Sequence, residues 1–424
     1  MSSRARQLAV GMGLGGTSLW AYQVAKYRRT TWRRFSLPEP PGPGTAEFSR
    51  LVTVMTGAPV HLGNRVEVMR NGATLDAMLV AIASASRTID LSSYIYWPGP
   101  TADRFHEALT ERARAGVEVN VMLDGYGSAR LKGSHLERLR RAGAHVSIFR
   151  PVRWHTLNRL NNRMHRRILV VDGTVGFVGG VGIADVWTGD AQDPEHWRET
   201  HLLVRGPAVV DLLGAFAENW TESTGRLLAG ARTCEIPDLD ADVAVQVTKS
   251  TPTGGPTAAT ELFYAAIAGA QSQLWLTTAY FAPDRGFEDA LRDAAWRGVD
   301  VRILVNGHNV DKEVVRQAGR RSYAKLLGAG ARIFEYDQTM LHAKVLLIDH
   351  RWANVGSGNL DSRSLDLDLE VNVAMTDADL VGELEEHFLE DLDVSREIDA
   401  EAWSRRSLRK RAAELLTVLV RQSL

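Results

Sequence analysis

Apolar and polar positions along the chain fall into short strand-length runs separated by helical stripes, and the whole arrangement occurs twice. TIDLSSYIYW, from Thr88 to Trp97, is an apolar run. A helical stripe with Phe105, Ala108 and Leu109 on one side follows it, Gly116 stops that helix, and VEVNVMLD has the pattern of a buried strand. The second occurrence is QLWLTTAYF from Gln273 to Phe281, a stripe of Phe287, Ala290, Leu291 and Ala294, a stop at Gly298, and the strand VDVRILVNG. A further helix comes after each, within SHLERLRRAGAHVSIF and RSYAKLLGAGARIFEY. Strands alternating with helices predict a mixed or mostly parallel sheet covered on both faces. The repetition predicts an α/β protein of two pseudo-symmetric domains, each a mixed β-sheet flanked by helices, divided between Gly225 and Asp242.

The flanks read differently. Residues 1–35 hold an uncharged run from Leu8 to Ala25, preceded by Arg4 and Arg6 and followed by Lys26, Arg28, Arg29, Arg33 and Arg34. Slightly short of the roughly 20 residues that span a bilayer, it predicts an N-terminal anchor in the cytoplasmic membrane, with the heavier positive flank keeping the body on the cytoplasmic side. Gly11, Gly13 and Gly16 mimic a dinucleotide fingerprint, but no strand precedes them, so no cofactor is expected. Prolines between Ser36 and Gly44 forbid regular structure, and residues 36–60 are expected to be a Pro-rich linker. The repeats then occupy 61–232 and 233–400. Residues 401–424 predict a basic amphipathic helix, with Leu408, Ala412, Leu415, Leu416, Leu419 and Val420 on one face. It suits either an anionic lipid surface or a seat on the body.

A length of 424 residues accommodates two domains, and 45% apolar with 24% charged residues is ordinary for a globular protein. A net charge of -1 argues against a protein that coats nucleic acid. Between Arg150 and Val171, however, stand six arginines, two histidines and no acid. That stretch is either a groove for anionic groups or a solvated loop. Cys234 is the only cysteine, so no disulfide forms within the chain, which fits a reducing compartment.

Chemistry enters with MHRRILVVDGTVGFVGG, from Met164, and MLHAKVLLIDHRWANVGSGNLD, from Met340. Side chains two apart on a strand share a face, so His165 projects with Arg167 and His342 with Lys344. Asp172 and Asp349 close the two apolar runs, and small residues, among them Gly179, Gly180, Ser357 and Asn359, follow. A lone strand histidine is usually structural. Two in matching H-x-[KR]-x4-D-x6-G-[GS] frames point to phosphodiester chemistry: one neutral imidazole attacks phosphorus, another protonates the leaving oxygen, and two cations hold the phosphate.

The duplicated pattern resembles the phospholipase D superfamily, and the text around it is similar to the bacterial cardiolipin synthase branch, from about His61 to Val394. The resemblance implies two phospholipase D-type domains sharing one active site at their interface, and exchange of a phosphatidyl group between phospholipid alcohols without a metal. It implies His165 and His342 as the catalytic pair, the former the nucleophile by the family's habit. Arg167 and Lys344 become phosphate binders, Asp172 and Asp349 supporting carboxylates, and Ser357 and Asn359 donors to substrate. Glu370, and Glu199 as its counterpart, are expected beside them, orienting basic groups or binding substrate. The partners implied are anionic phospholipids such as phosphatidylglycerol and a membrane surface, with no obligatory nucleic acid.

Two positions depart from the family's pattern: Arg167 stands where lysine is usual, and Gly182 where asparagine is frequent. A larger planar head at 167 leaves open a catalytically impaired lipid-binding protein. The Arg150 stretch leaves open a nuclease, and water as acceptor would give a phospholipase D. In SLDLDLEVNV, from Ser364, strict alternation predicts a strand with Leu365, Leu367, Leu369 and Val371 inward and Asp366, Asp368 and Glu370 outward, without a metal.

Overall fold

The computed structural model describes residues 35–152, 162–228, 239–253 and 255–406. The expected anchor, Cys234 and nearly all of the expected C-terminal helix lie outside them. Among the described residues no helix is long and apolar enough to cross a membrane.

The first half contains α1 (Ala46–Thr56), β1 (His61–Arg70), α2 (Ala73–Ser84), β2 (Thr88–Ser93), α3 (Pro100–Arg114) and β3 (Glu118–Asp124). It continues through α4 (Gly133–Arg141), β4 (His145–Phe149), β5 (Ile168–Val171), β6 (Val175–Gly179), β7 (Thr200–Arg205) and α5 (Val209–Thr224). The second half has β8 (Val243–Ser250), α6 (Ala258–Gly269), β9 (Gln273–Thr278), β10 (Phe281–Ala282), α7 (Arg285–Trp296) and β11 (Asp300–Asn306). After these come α8 (Glu313–Leu327), β12 (Arg332–Tyr336), β13 (Lys344–Ile348), β14 (Trp352–Gly356), β15 (Leu360–Asp361), α9 (Ser362–Asp366) and β16 (Glu370–Thr376). The described chain closes with α10 (Ala378–Asp393), β17 (Ser395–Glu397) and α11 (Ala400–Ser404).

The repetition in the sequence is a repetition in space. One 15-stranded sheet runs β17-β12-β11-β9-β13-β14-β16-β8-β1-β7-β6-β5-β2-β3-β4. Read outward from its middle, β1-β7-β6-β5-β2-β3-β4 has the same order as β8-β16-β14-β13-β9-β11-β12. The strands flanking β2 and β9 show why the sheet is mixed: β3 and β11 return parallel through helices, whereas β5 and β13 pair antiparallel. The helix stripes fall as the pattern predicts, with Phe105 and Leu109 buried on α3 and Phe287, Ala290, Leu291 and Ala294 buried on α7. Gly116 and Gly298 end their helices with φ of 89° and 91°, values that favour glycine. Between the halves lies a shared core, with Ile168, Val170 and Val178 from one and Val345, Leu347 and Val371 from the other.

Two expectations need correction. Residues 36–60 are not wholly linker: Thr45 caps α1 by accepting from Phe48 N at 3.1 Å, and Phe48 and Val52 are fully buried among second-half residues such as Leu262 and Trp352. Local prolines marked the spacer, but the amphipathic turn after it finds a distant apolar face. SLDLDLEVNV is likewise not one strand. Asp361 accepts from Ser364 N at 2.8 Å and starts the short helix α9, so the alternating leucines are buried from a helix and a loop before β16 begins.

Candidate active site

His165 lies just before β5 and His342 just before β13, and both line a single cavity of about 730 Å³. The halves carry each other's motif into place. His165 N donates to Leu369 O at 3.0 Å and Leu369 N to Arg163 O at 2.8 Å; His342 N donates to Arg198 O at 2.7 Å and Arg198 N to Met340 O at 2.9 Å. Leu369 and Arg198 each precede a glutamate, so these bridges deliver Glu370 to His165 and Glu199 to His342. Glu370 Oε1 lies 2.9 Å from Nδ1 of His165, and Glu199 Oε2 meets Nδ1 of His342. Each histidine is thus oriented by a carboxylate from the other half.

Arg167 fixes the state of the first imidazole. Its Nη1 donates to His165 O at 2.9 Å and its Nη2 to His165 Nε2 at 3.0 Å. A guanidinium only donates, so Nε2 holds a lone pair and the proton sits on Nδ1, shared with Glu370. Lys344 Nζ donates to His342 O and stands 3.0 Å from His342 Nδ1 and 4.0 Å from Glu199 Oε2.

All six of these side chains are buried, and burial dominates their protonation. It holds both imidazoles well below their ordinary value, with the charges of Arg167 and Lys344 adding to the effect. It raises the carboxyls of Glu199 and Glu370 to about 7 and lowers Lys344 to about 7.

Several expected substrate contacts are placed elsewhere. Glu199 and Glu370 stand behind the imidazoles and outside the cavity wall. Ser357 is fully buried; its Oγ donates to Glu370 Oε2 and accepts from Val371 N at 3.0 Å, so it steadies the glutamate. Its first-half counterpart is Gly180, where a Cβ would come within 2.3 Å of Glu199 Oε2; only glycine admits that carboxylate. Asn359 does line the cavity, with Oδ1 accepting from Tyr280 N at 3.3 Å. Its counterpart Gly182 has no room for a side chain, since a Cβ would lie 2.7 Å from the Trp187 ring.

Asp172 and Asp349 are not catalytic. They end β5 and β13 with φ of 52° and 54°, about 20 Å from the histidines at the usual rise per strand residue. Asp172 accepts from the amides of Ser86, Arg87 and Thr88, and Asp349 from those of Gln271, Ser272 and Gln273. Each ties the turn after its motif strand to the start of β2 or β9.

Among the described arginines of the stretch, Arg163, Arg166 and Arg167 are buried and Arg150 is half-buried. Arg150 pairs with Glu222, Arg163 with Asp124 and Arg166 with Glu218, the last two arginines fully buried. Residues 153–161 lie outside the described set. Asp368 pairs with Arg363 at 3.0 Å, and no three potential metal-binding side chains converge among the described residues.

The cavity also has walls that the motifs do not mark. Tyr94 and Trp197 line it, their ring centroids 5.0 Å from that of His165 and 5.6 Å from that of His342, and Trp187 packs behind, its centroid also 5.6 Å from that of His342. Tyr94 and Tyr280 follow the carboxyl ends of β2 and β9, where ligands of α/β sheets gather, and that position was the available signal. The tryptophans carried no periodic signal of their own.

Paired histidine motifs meeting between two repeated α/β units define a phospholipase D-type protein. Within that superfamily the chain belongs to the family described as "Cardiolipin synthase, PLD-like domain", whose model matches residues 78–220 and 263–392. It is 35% identical to the cardiolipin synthase of Geobacillus kaustophilus, over 90% of this chain and 76% of that protein. It is 33% identical to cardiolipin synthase 2 of Bacillus cereus, over 86% of this chain and 72% of that one. Among solved structures it is similar to phosphatidylserine synthase of Haemophilus influenzae, with TM-score 0.61 and 14% identity over 85% of this chain and 95% of that one. At that identity the likeness is one of fold.

Proposed function

We propose that this phospholipid phosphatidyltransferase works at an anionic membrane surface through a covalent phosphohistidine on His165, passing the phosphatidyl group to phosphatidylglycerol or a related alcohol. The observation that carries the reading is the hydrogen-bond pattern on His165: with Nδ1–H directed at Glu370 and the lone pair of Nε2 marked by Arg167, the ring is a neutral nucleophile. Nε2 attacks phosphorus while the guanidinium transfers its donors to the phosphate oxygens. His342, entering as the imidazolium, gives its proton to the departing alcohol oxygen. In the second half-reaction neutral His342 takes the proton of the incoming hydroxyl as the phosphorus–nitrogen bond breaks. Burial, with the charges of Lys344 and Arg167 adding to it, holds His342 below its ordinary value; the negative phosphate opposes both effects and favours its imidazolium form.

Arg167 serves this chemistry as a charged two-donor group, which speaks against the impaired reading. Arg163 and Arg166 are buried in internal pairs and Arg150 is paired with Glu222, which weakens the support for a nuclease. The basic N-terminal flank and the basic C-terminal segment support a body held on the cytoplasmic side of the membrane. The test incubates purified full-length protein with phosphatidylglycerol vesicles and chelator. Cardiolipin is the expected product, and radiolabelled phosphatidyl trapped on the His342→Ala protein is the expected intermediate. Formation of neither cardiolipin nor phosphatidic acid would refute the proposal.

A further inference from the structure

The two halves differ where their motif loops re-enter the sheet. Ile183 bridges to Tyr96 as Leu360 pairs with Phe281, so the next residues, Ala184 and Asp361, are counterparts. One half has a methyl group there and the other a carboxylate. Asp361 is 3% exposed yet lines the reaction cavity, and its Oδ1 accepts from Ser364 N at 2.8 Å. Burial lifts its carboxyl to about 6 against the opposing charges of Lys312 and Arg363, which line the same cavity. Asp368 aims Arg363 at 3.0 Å, and Lys312 lies over the Tyr280 ring at 4.8 Å.

A carboxylate kept in such a wall needs hydrogen-bond donors to offset its desolvation, and the exchange at phosphorus does not employ it. Acceptor oxygens in one cavity with two cations match an alcohol that carries several hydroxyls next to an anionic ester. We propose that Asp361, which shares the cavity with Lys312 and Arg363, is a specificity-determining residue that accepts hydrogen bonds from the free hydroxyls of a phosphoglycerol acceptor and so favours transfer over hydrolysis. This rests on the phosphohistidine reading above. In the step concerned the acceptor oxygen forms the new phosphorus–oxygen bond, the bond to His165 breaks, and the hydroxyl proton passes to His342. Water completes the same exchange but gains nothing from Asp361. The first half, with Ala184, offers no second copy of this wall, so the alcohol has one side of the cavity to enter.

The experiment measures the ratio of cardiolipin to phosphatidic acid formed from phosphatidylglycerol vesicles by full-length wild type, Asp361→Asn and Asp361→Ser. Both substitutions retain a side chain able to cap α9, and thermal melting checks that the variants fold. The ratio is read in preference to the rate because the same wall would hold the departing glycerol. The ratio is expected to fall by roughly tenfold in both variants, the size of one lost hydrogen bond to a charged group. An unchanged or higher ratio in folded variants, whatever their rate, would overturn the proposal. Wild type forming neither product would refute the transferase reading itself, a result distinct from an unchanged ratio.

Discussion

His165 and Glu370 are 205 positions apart in the chain, yet Nδ1 of one lies 2.9 Å from Oε1 of the other. The reciprocal contact, His342 with Glu199, spans 143 positions. Glu370→Gln keeps the size of the side chain and removes its charge. It is expected to lower transfer by roughly 10²-fold, comparable to losing an acid or base catalyst. His165→Ala and His342→Ala should each lose at least as much. Near-normal turnover in any of these, measured as cardiolipin formed per minute, would contradict a shared site.

Arg167→Lys tests whether the cavity is shaped around a guanidinium. A single ammonium lacks the two-nitrogen fork with which Arg167 meets His165 O and Nε2, so turnover should drop by about tenfold, equivalent to ~1.4 kcal/mol of barrier. A gain from no activity to measurable activity would show instead that arginine had disabled the site.

The pH dependence of kcat/KM should be bell-shaped around neutrality. Glu199 and Glu370, raised to about 7 by burial, must ionise to hold the Nδ1–H groups, so activity rises as pH climbs through that value. Lys344, lowered to about 7 by burial, loses its charge over the same range and, with the loss of the His342 proton, gives the falling limb. The two limbs belong to a coupled set. Lys344→Arg, which stays charged, is expected to change the alkaline side and leave the acid side in place; an unaltered alkaline limb would exclude Lys344 as a contributor.

Asp172→Ala and Asp349→Ala should weaken the fold by about 1–2 kcal/mol each while leaving kcat of the folded fraction unchanged. For Asp172 the pH sign follows from its depressed carboxyl: burial works against the depression, but the amides of Thr88, Ser86 and Arg87 outweigh it. Its contribution is therefore present above the unfolded value near ~3.9 and fades as pH falls through the lower folded one. Thermal melting from pH 3 to pH 7 should show the wild-type advantage over Asp172→Ala shrinking at the acid end.

Gly182→Asn would restore the family's frequent residue and should nevertheless destabilise by about 1–3 kcal/mol, because Trp187 fills the space. An unchanged melting temperature would contradict this.

Much of this was legible in the residues, for physical reasons. The duplicated frames revealed His165, Arg167, His342 and Lys344, because strand parity alone puts i and i+2 on one face. The same frames misled on Asp172 and Asp349. Motif spacing records that a carboxylate is needed, but whether it serves a phosphate or three backbone amides depends on which end of the strand faces the cavity. Glu199 and Glu370 stood out as counterparts, yet their crossing over was hidden, since no local pattern encodes which half a bridge such as Met164 to Leu369 will join. Helix α1 was lost for a related reason: its partners, Leu262 and Trp352, come far later in the chain.

The crossed bridges make the molecule a tethered dimer with exchanged arms. A cut between Gly225 and Asp242 would leave one fragment with a histidine and its neighbour's glutamate, and the other with the reverse set. Neither piece would keep half the turnover. Mixed together, they should regain it only by re-associating.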